Sequence, residues 1–327
     1  MTRAAVGVDV GGTSIKTGLI DDSGHVLFRT QVETPPKDSS PDRIVDAIIE
    51  VGMLARAAAE RADATVDGFG FGLPEYSVGP DWVQRQSGNL PALEGFALRP
   101  PLCAAFGPSI ACDLDTHAST GAELHFGAGG VFRRFIFVCI GTGISCGIVV
   151  DGELLRYTFG TSGDTGHVIV DPTGAKRCTC GGSGCLEAYT GGWAIREAGI
   201  AKARSGASPA LTEVYSQRRD LTARDVADAA KRGDRAAGEI MDRAGRALGI
   251  ALTTLMNIYL PEAILLGGGV SGAGDLLIEP AQAAIAELAA PFYADHLKEL
   301  RVGAFGSEAG IIGAAALVLF GRSVSAS

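Results

Sequence analysis

The sequence has no apolar run approaching the length of about 18 residues that a membrane-spanning helix requires, although 46% of its 327 residues are hydrophobic. Met1-Thr2-Arg3 leads directly into a predicted strand, which leaves no apolar core for a secretory signal peptide. Low-complexity segments are absent as well. With 20% charged residues, the composition is that of a globular protein of two domains, which we expect in the cytoplasm.

The sequence also lacks an excess of positive charge. Its 28 Lys and Arg residues are outnumbered by 37 Asp and Glu residues, which gives a formal net charge of −9. Surfaces that bind nucleic acid or anionic membranes depend on clustered Lys and Arg. The charge therefore favours small-molecule partners, and we expect neither a nucleic acid nor a membrane as a partner.

The seven cysteines do not form the even, regular pattern of a disulfide framework. Three of them, Cys178, Cys180 and Cys185, lie within eight residues among glycines. With His167 they supply the ligand types and the number of ligands of a structural zinc site. The alternative is a cluster of free thiols, which would be hard to keep unoxidised. We therefore predict a bound metal that stabilises the glycine-rich loops between residues 160 and 192.

The stretch at residues 135–151 is predicted to be a β-hairpin. Two runs rich in Val, Ile and Phe flank the turn Gly141-Thr142-Gly143. Glycine permits a positive φ and allows a phosphate to approach the main chain closely. Taken alone, the pattern favours an ordinary buried hairpin, because glycine-rich turns between strands are common.

A second hairpin of the same kind is predicted near the N-terminus, with strands at residues 4–9 and 17–20. Its turn region offers amides and a hydroxyl for phosphate oxygens and a carboxylate for magnesium. The residues concerned are Asp9, Gly11, Gly12, Thr13 and Lys16. The spacing is not that of a P-loop, and a tight turn is an equal alternative until both hairpins are considered. Two facing loops of this kind could hold one nucleotide.

Asp113 ends a predicted strand at residues 108–113, and ligands collect at the carboxyl ends of strands in open α/β sheets. A carboxylate in this place is a candidate general base for phosphoryl transfer to an alcohol. The alternative is a cap for the helix predicted at 116–124. The residue alone does not separate the two roles.

Helical periodicity predicts further elements. A helix at 41–61 is expected to begin with Ser40 as its cap and to bury Ile44, Val45, Ile48, Ile49 and Met53. Other helices are predicted at 193–205, 222–231, 234–259 and 309–320. The residues between 205 and 222 are interpreted as a polar linker, and a buried strand at 263–266 is followed by Gly267-Gly268-Gly269.

Several motifs together resemble those of the ROK family of sugar kinases, and the match covers nearly the whole chain. They are Asp9-Val10-Gly11-Gly12-Thr13, Ile140-Gly141-Thr142-Gly143, Gly163-Asp164-Thr165-Gly166-His167, and the run from Cys178 to Glu187. The last is the most specific of the four. The resemblance implies an α/β protein with the actin/hexokinase, ribonuclease-H-like fold and a cleft between two domains.

The resemblance also implies an enzyme that uses ATP, Mg²⁺ and a structural Zn²⁺, and that forms a homodimer. A small domain would comprise residues 1–113 and about 309–327, and a larger domain with the zinc loop and the dimer surface residues 114–308. The two hairpins would hold the ATP phosphates, Gly268 and Gly269 would lie near the adenosine, and Asp113 would be the base. Sugar contacts would come from Asn89, Asp164, Glu187 and His167, the last of which would also bind zinc.

The sequence departs from the family pattern at three places. Asn-Asp-x-Asn reads Cys112-Asp113-Leu114-Asp115, and a glutamate is replaced by Asp164. The family's Gly-x-Pro-Gly segment, whose backbone usually meets the sugar, reads Gly72-Leu73-Pro74-Glu75. A carboxylate beside the substrate is unfavourable unless it meets a cation or a donor. We therefore expect phosphorylation of the 6-hydroxyl of an amino sugar, specifically kanosamine (3-amino-3-deoxyglucose). The alternatives are glucose, a C7-cyclitol of the valiolone type, and a Glu75 that simply points to solvent.

The family also includes sugar-responsive repressors, which carry a DNA-binding segment ahead of the first phosphate motif. Because that motif begins here at Asp9, we expect an enzyme and not a regulator. A catalytically silent sugar-binding protein stays open as a third reading, since Cys112 replaces an amide that usually contacts the sugar.

Overall fold

The computed structural model describes residues 1–74, 76–85, 87–156 and 164–321. The chain divides into two compact units. The first comprises residues 1–131, 152–162 and 307–327, and the second comprises residues 132–151 and 163–306.

The strands are β1 (Thr2–Val10), β2 (Ser14–Asp21), β3 (Val26–Glu33), β4 (Ala64–Leu73), β5 (Tyr76–Val78), β6 (Val83–Arg85), β7 (Ile110–Leu114), β8 (Phe135–Ile140), β9 (Ile144–Val150), β10 (Glu153–Leu154), β11 (Ala263–Gly267) and β12 (Glu299–Val302). The helices are α1 (Pro41–Arg61), α2 (Arg99–Phe106), α3 (Asp115–Phe126), α4 (Glu187–Thr190), α5 (Gly192–Arg204), α6 (Pro209–Arg218), α7 (Ala223–Lys231), α8 (Arg235–Tyr259), α9 (Asp275–Leu288), α10 (Pro291–His296) and α11 (Ala309–Leu319).

The first unit is built on a five-stranded sheet with the order β3-β2-β1-β4-β7. Strands β1, β2 and β3 run antiparallel, whereas β1, β4 and β7 run parallel. Apolar side chains of β1 and β4 pack with α1 and α2 in one hydrophobic core. Parallel strands covered on both faces read as nearly continuous apolar runs, which is the pattern of β1.

Helix α11 packs directly on this sheet, and glycines make the close approach possible. A Cβ atom built on Gly7 would lie 1.8 Å from the Ile311 carbonyl oxygen, and one on Gly70 would lie 1.7 Å from that of Ala314. On Gly313 it would lie 1.6 Å from the carbonyl oxygen of Ala118 in α3. Helix α3 is therefore part of the first unit, which extends to residue 131, whereas the sequence placed the domain boundary at residue 113.

This packing predicts that Gly70→Ala will destabilise the fold. We expect a loss of about 3 kcal/mol of unfolding free energy, because neither backbone can move away without disturbing the core. The matched control is Gly238→Ala in α8, where an added Cβ meets no heavy atom within 4 Å and alanine favours a helix by about 0.5–1 kcal/mol. Urea titration of both variants measures the difference, and equal midpoints would contradict this account of the packing.

In the second unit the strands follow the order β9-β8-β11-β12. The β8–β9 hairpin is antiparallel, and β8, β11 and β12 are parallel. This arrangement repeats the hairpin and the parallel strands of the first unit. The two hairpins predicted from the sequence, β1–β2 and β8–β9, are both confirmed. Helices α8 and α9 pack against each other through Gly245 and Gly249.

Several local predictions were wrong in detail. Ser40 makes no side-chain capping hydrogen bond with the described backbone of α1. Met53 is 37% exposed, and Val51 and Ala55 continue the buried stripe instead. The expected polar linker contains α6, which begins at Pro209 and is capped by the side chain of Ser208.

Within the four described ranges, no helix combines the length and the apolar character needed to cross a membrane.

Candidate active site

The N-terminal hairpin turn is held by backbone bonds from β2 and from the residue after β3. The Gly11 amide donates to the Ser14 carbonyl at 3.1 Å, and the Thr34 amide donates to the Thr13 carbonyl at 3.0 Å. Neither Gly11 nor Gly12 has a positive φ. At Gly11 a Cβ would instead lie 2.9 Å from the Ser14 carbonyl oxygen.

Asp9 lies at the end of β1 and pairs in register with Lys16 of β2. Burial raises the pKa of the Asp9 carboxyl, and the charge of Lys16 opposes this shift. The carboxylate also lies against the first turn of α11, since a Cβ on Gly310 would be 2.6 Å from Cγ and Oδ2 of Asp9. A carboxylate held in this way beside a loop of backbone amides fits a magnesium ion or its water ligands.

Asp113 is buried within the first unit, with its side chain 1% exposed. Its Oδ1 accepts a hydrogen bond from the Leu114 amide at 2.9 Å and lies 3.1 Å from Nδ1 of His117. Its Oδ2 accepts a hydrogen bond from Nε of Arg156 at 2.7 Å. The N-cap position of α3 is occupied by Leu114, which makes no side-chain capping hydrogen bond, and not by Asp113.

Asp115 is the first residue of α3 and is partly exposed. Its Oδ1 accepts hydrogen bonds from the Thr116 amide at 2.6 Å and the Thr116 hydroxyl at 3.2 Å. A Cβ on Gly72 would lie 3.4 Å from the Asp115 Cα, so this carboxylate adjoins the Gly72-Leu73-Pro74 segment. The Asn-Asp-x-Asn pattern of the family can also be aligned with Leu114-Asp115-Thr116-His117. Asp115 is therefore a second candidate for the base, and it was not predicted from the sequence.

The remaining predicted residues of the first unit differ in their surroundings. Cys112 is 1% exposed and belongs to the hydrophobic core that contains Phe71 and Leu73. Asn89 is exposed and lies beside the N-terminal turn, because a Cβ on Gly12 would be 3.6 Å from its Cβ. Glu75 lies outside the described residues.

In the second unit, Gly141-Thr142-Gly143 forms the turn between β8 and β9. The Gly141 amide donates to the Gly143 carbonyl, and the Gly192 amide at the start of α5 donates to the Gly141 carbonyl, both at 2.9 Å. The amino end of α5 therefore lies beside the turn. Helix N-termini favour phosphate groups through their unpaired amides and dipole.

The carboxylate of Glu187 packs against this turn and accepts hydrogen bonds from the residues around it. Its Oε2 accepts a hydrogen bond from the Ile144 amide at 3.1 Å, and its Oε1 accepts one from the Thr179 hydroxyl at 3.0 Å and one from Nε1 of Trp193 at 3.3 Å. A Cβ on Gly143 would lie 2.6 Å from Oε2. Glycine is thus needed at position 143 to admit a carboxylate, and not for a positive φ.

Gly268 and Gly269 follow β11 beside the same hairpin. Gly268 has φ +79°, and a Cβ there would lie 2.5 Å from the Ile140 carbonyl oxygen. Gly269 lines a cavity of about 320 Å³ together with Arg224, Asp228 and Lys231 of α7. A cavity of this kind next to a phosphate-sized turn has room for part of a nucleoside.

The four predicted metal ligands, His167, Cys178, Cys180 and Cys185, are brought together. Their donor atoms all lie within 4.8 Å of one another. The Sγ atoms of Cys180 and Cys185 are 3.8 Å apart, and Nδ1 of His167 is 3.6 Å from Sγ of Cys178. A tetrahedron with zinc–sulfur bonds of about 2.3 Å has edges of about 3.8 Å. The donor set and its spacing therefore fit zinc.

His167 presents its second ring nitrogen to Asp164. Nε2 of His167 lies 3.4 Å from Oδ2 of Asp164, and the two side chains are 30% and 51% exposed. One ring nitrogen thus faces the thiols while the other is left for a carboxylate or a ligand. This arrangement fits the double role that the resemblance implied for His167.

Comparisons with known proteins agree with these features. A model of the ROK family matches residues 5–320. A glucokinase from Thermotoga maritima is 31% identical over 316 residues, which cover 96% of both chains. An N-acetylmannosamine kinase from Escherichia coli is 28% identical over 318 residues, which cover 97% of this chain and 98% of that protein.

Among solved structures, a ROK family glucokinase from Streptomyces griseus in complex with glucose and AMPPNP superposes with a TM-score of 0.83. It is 28% identical, and the alignment covers 96% of this chain and 98% of that one. The chain thus has the two-domain fold of the actin/hexokinase type, as the motifs implied. It belongs to the ROK family and is an ATP-dependent sugar kinase.

Proposed function

We propose that the protein transfers the γ-phosphoryl group of ATP to the 6-hydroxyl of a hexose-like sugar, with Asp115 as the general base. The observation that carries the assignment of the base is the partly exposed position of Asp115 next to Gly72. The resemblance assigns the Gly72-Leu73-Pro74 segment to the sugar. A base must come within hydrogen-bond distance of the hydroxyl whose proton it accepts.

Asp113, which the sequence favoured, is less suited to this role. Its side chain is 1% exposed, and both of its oxygens already have partners, among them the guanidinium of Arg156. A carboxylate oxygen that already accepts a charge-assisted hydrogen bond from an arginine would have to give up that bond to accept one from a substrate hydroxyl. Comparing Asp113→Asn with Asp115→Asn tests the choice, and Asp113 stays the alternative outcome.

By the family resemblance, each of the two hairpin turns is proposed to bind phosphate oxygens of ATP. Backbone amides of residues 11–13 and 141–143 would bind phosphate oxygens, with the amino end of α5 beside the second turn. Asp9 would hold magnesium, which neutralises phosphate charge when it is bound. The cavity lined by Gly269 and α7 would take the adenosine.

Asp9→Asn is expected to stabilise the free protein and to weaken its function. Burial raises the folded-state pKa of Asp9 above its ordinary value. The folded state therefore binds this proton more tightly than the unfolded state, and the carboxylate lowers stability once the pH exceeds the ordinary value. Removing the charge should raise the Tm at pH 7 by a few degrees.

The same variant should lose most of the Tm increase that wild type gains from Mg-ATP. Thermal unfolding with and without Mg-ATP measures both effects, and Lys16→Met serves as the control. Because Lys16 opposes the pKa shift, its removal should lower the Tm at pH 7. A lower Tm for Asp9→Asn without nucleotide would contradict this reading of Asp9.

We propose zinc as the metal bound by His167 and the three cysteines. The hairpin that carries the cysteines is closed by the Cys178 amide, which donates to the Gly182 carbonyl at 2.9 Å. Gly181 and Gly184 have φ values of +90° and +77°. At these positions, whose φ values favour glycine, the main chain turns so that the thiols converge.

The acceptor is proposed to be an amino sugar, with kanosamine as the specific hypothesis. Cys112 lies in the hydrophobic core and therefore adds no support to this hypothesis. The hypothesis rests on Glu75, known only from the sequence, and on the exposed Asp164. Relatives that phosphorylate glucose or N-acetylmannosamine make these sugars the principal competitors.

A substrate panel tests the acceptor. ADP release should be measured with glucose, 3-amino-3-deoxyglucose, N-acetylmannosamine and a valiolone-type cyclitol. We expect the highest kcat/KM with the amino sugar, and Glu75→Gly should remove this preference. Equal or better turnover of glucose would overturn the amino-sugar hypothesis and leave the kinase intact.

We also propose that the protein is a homodimer and that it is located in the cytoplasm. The dimer rests on the family resemblance alone, and the location rests on the reduced cysteines that a zinc site needs. Light scattering of the purified protein tests the dimer, and a mass of one chain at micromolar concentration would contradict it.

A further inference from the structure

A largely buried cluster of three polar side chains lies at the start of α3 in the first unit. It consists of Asp113 at the end of β7, His117 in the first turn of α3, and Arg156 just after β10. The side chains of Asp113 and His117 are each 1% exposed, and that of Arg156 is 25% exposed. The proposed mechanism leaves all three without a role.

Asp113 contacts one residue before Asp115 in the chain and one residue after it. Oδ1 of Asp113 accepts from the amide of Leu114, the residue before Asp115, and lies 3.1 Å from Nδ1 of His117, two residues after it. Oδ1 of Asp113 therefore links the residues that precede and follow Asp115, the first residue of α3. The direction of the Asp115 side chain depends on this junction.

Arg156 fixes the other oxygen of the same carboxylate. Its Nε donates to Oδ2 of Asp113 at 2.7 Å, the length of a charge-assisted hydrogen bond. A carboxylate removed from water needs such a partner, and loss of the partner forces it to move or to take up water. Either response would displace the β7–α3 junction.

We propose that Arg156 is a positioning residue for phosphoryl transfer, which acts by holding Asp113 and through it the orientation of Asp115. This inference rests on the proposed role of Asp115 as the base. Displacement of a reacting group by about 1 Å can slow catalysis by about 100-fold, so the expected effect is on kcat. ATP binding should change little, because Arg156 contacts none of the proposed phosphate residues in the described part of the chain.

The side-chain chemistry of arginine and glutamine allows a sharp test. The Nε2 atom of glutamine is separated from Cα by as many bonds as the Nε atom of arginine. The double variant Asp113→Asn with Arg156→Gln can therefore keep one N–H to oxygen bond between positions 113 and 156 without any charge. Arg156→Met removes both the donor and the charge.

Steady-state kinetics and Tm should be measured for Arg156→Met, Asp113→Asn and the double variant. We expect Arg156→Met to lower kcat by about tenfold or more, with an unchanged KM for ATP. The double variant should recover to within about threefold of wild type, because it restores the bond that sets the geometry. A merely structural ion pair would change the Tm without this split between kcat and KM.

Two results would overturn the positioning role. One is a folded Arg156→Met variant whose kcat equals that of wild type, and the other is a double variant no more active than Arg156→Met. If Arg156→Met does not fold, the activity of the double variant decides alone. A complete loss in both variants that carry Asp113→Asn, with Asp115→Asn active, would instead overturn the proposed base.

Discussion

Asp115→Asn is expected to lower kcat for sugar phosphorylation by about 10²–10⁴-fold, the usual contribution of a positioned general base. Asparagine can still accept the hydrogen bond from the Thr116 amide that Asp115 accepts at 2.6 Å. The start of α3 should therefore keep its structure, while the side chain loses the ability to accept a proton. The KM for ATP should stay close to that of wild type. ADP release with saturating sugar and ATP measures the effect.

Two further variants, Asp42→Asn and Asp113→Asn, should be compared with Asp115→Asn. Asp42→Asn removes an exposed acid from the first turn of α1 and controls for the loss of a charge at a helix amino end. It should leave kcat unchanged. Asp113→Asn should lose less activity than Asp115→Asn. A larger loss at position 113 would identify Asp113 as the base, as the sequence had suggested.

Cys185→Ser is expected to remove the bound metal and to cause the largest loss of stability of any single change considered. Cys185 is 2% exposed and contributes one of three thiols to the cluster. Metal binding to such loops supplies folding free energy directly, and a loss of several kcal/mol corresponds to a Tm decrease of about 10 °C or more in a chain of this size. Metal analysis of the purified protein should give one zinc per wild-type chain and none in the variant.

The matched control for this substitution is Cys103→Ser. Cys103 is a partly buried thiol in α2 of the first unit and lies outside the cluster. This variant should retain both the zinc and the Tm. A wild-type protein without stoichiometric metal, or equal Tm values for the two serine variants, would rule out a structural metal site.

The sequence predicted those features that depend on local pattern. Helix α1 was predicted with its observed bounds, because its apolar period and Pro41 mark it clearly. The two hairpins and the clustering of His167 with three cysteines were also predicted, since glycine turns and closely spaced cysteines are local signals. The helix and the hairpins depend on residues that are close together in the chain. The cluster involves cysteines among glycines, a pattern with few interpretations other than a metal site.

Features that depend on tertiary packing were not predicted. The residues around position 113 do not indicate that Arg156, 43 positions further along the chain, donates a hydrogen bond to the Asp113 carboxylate. The alternation along β7 was also decisive, because it turns Cys112 into the core and Asp113 to the opposite face, towards α3. The choice between two carboxylates two residues apart therefore required the fold.

Glu187 shows the same limit in a different way. The family resemblance implied a contact with sugar hydroxyls, yet its oxygens accept hydrogen bonds from Ile144, Thr179 and Trp193. These bonds connect the turn at residues 141–143 with the cysteine loop. A role in binding sugar stays a prediction, and the described contacts add a structural reason for a carboxylate at this position.

A crystal structure with a non-hydrolysable ATP analogue and an accepted sugar tests the central claim most directly. The account predicts the sugar 6-hydroxyl within hydrogen-bond distance of the Asp115 carboxylate, with the triphosphate on the amides of residues 11–13 and 141–143. A 6-hydroxyl bound to Asp113 freed from Arg156, or a nucleotide away from both hairpin turns, would contradict it.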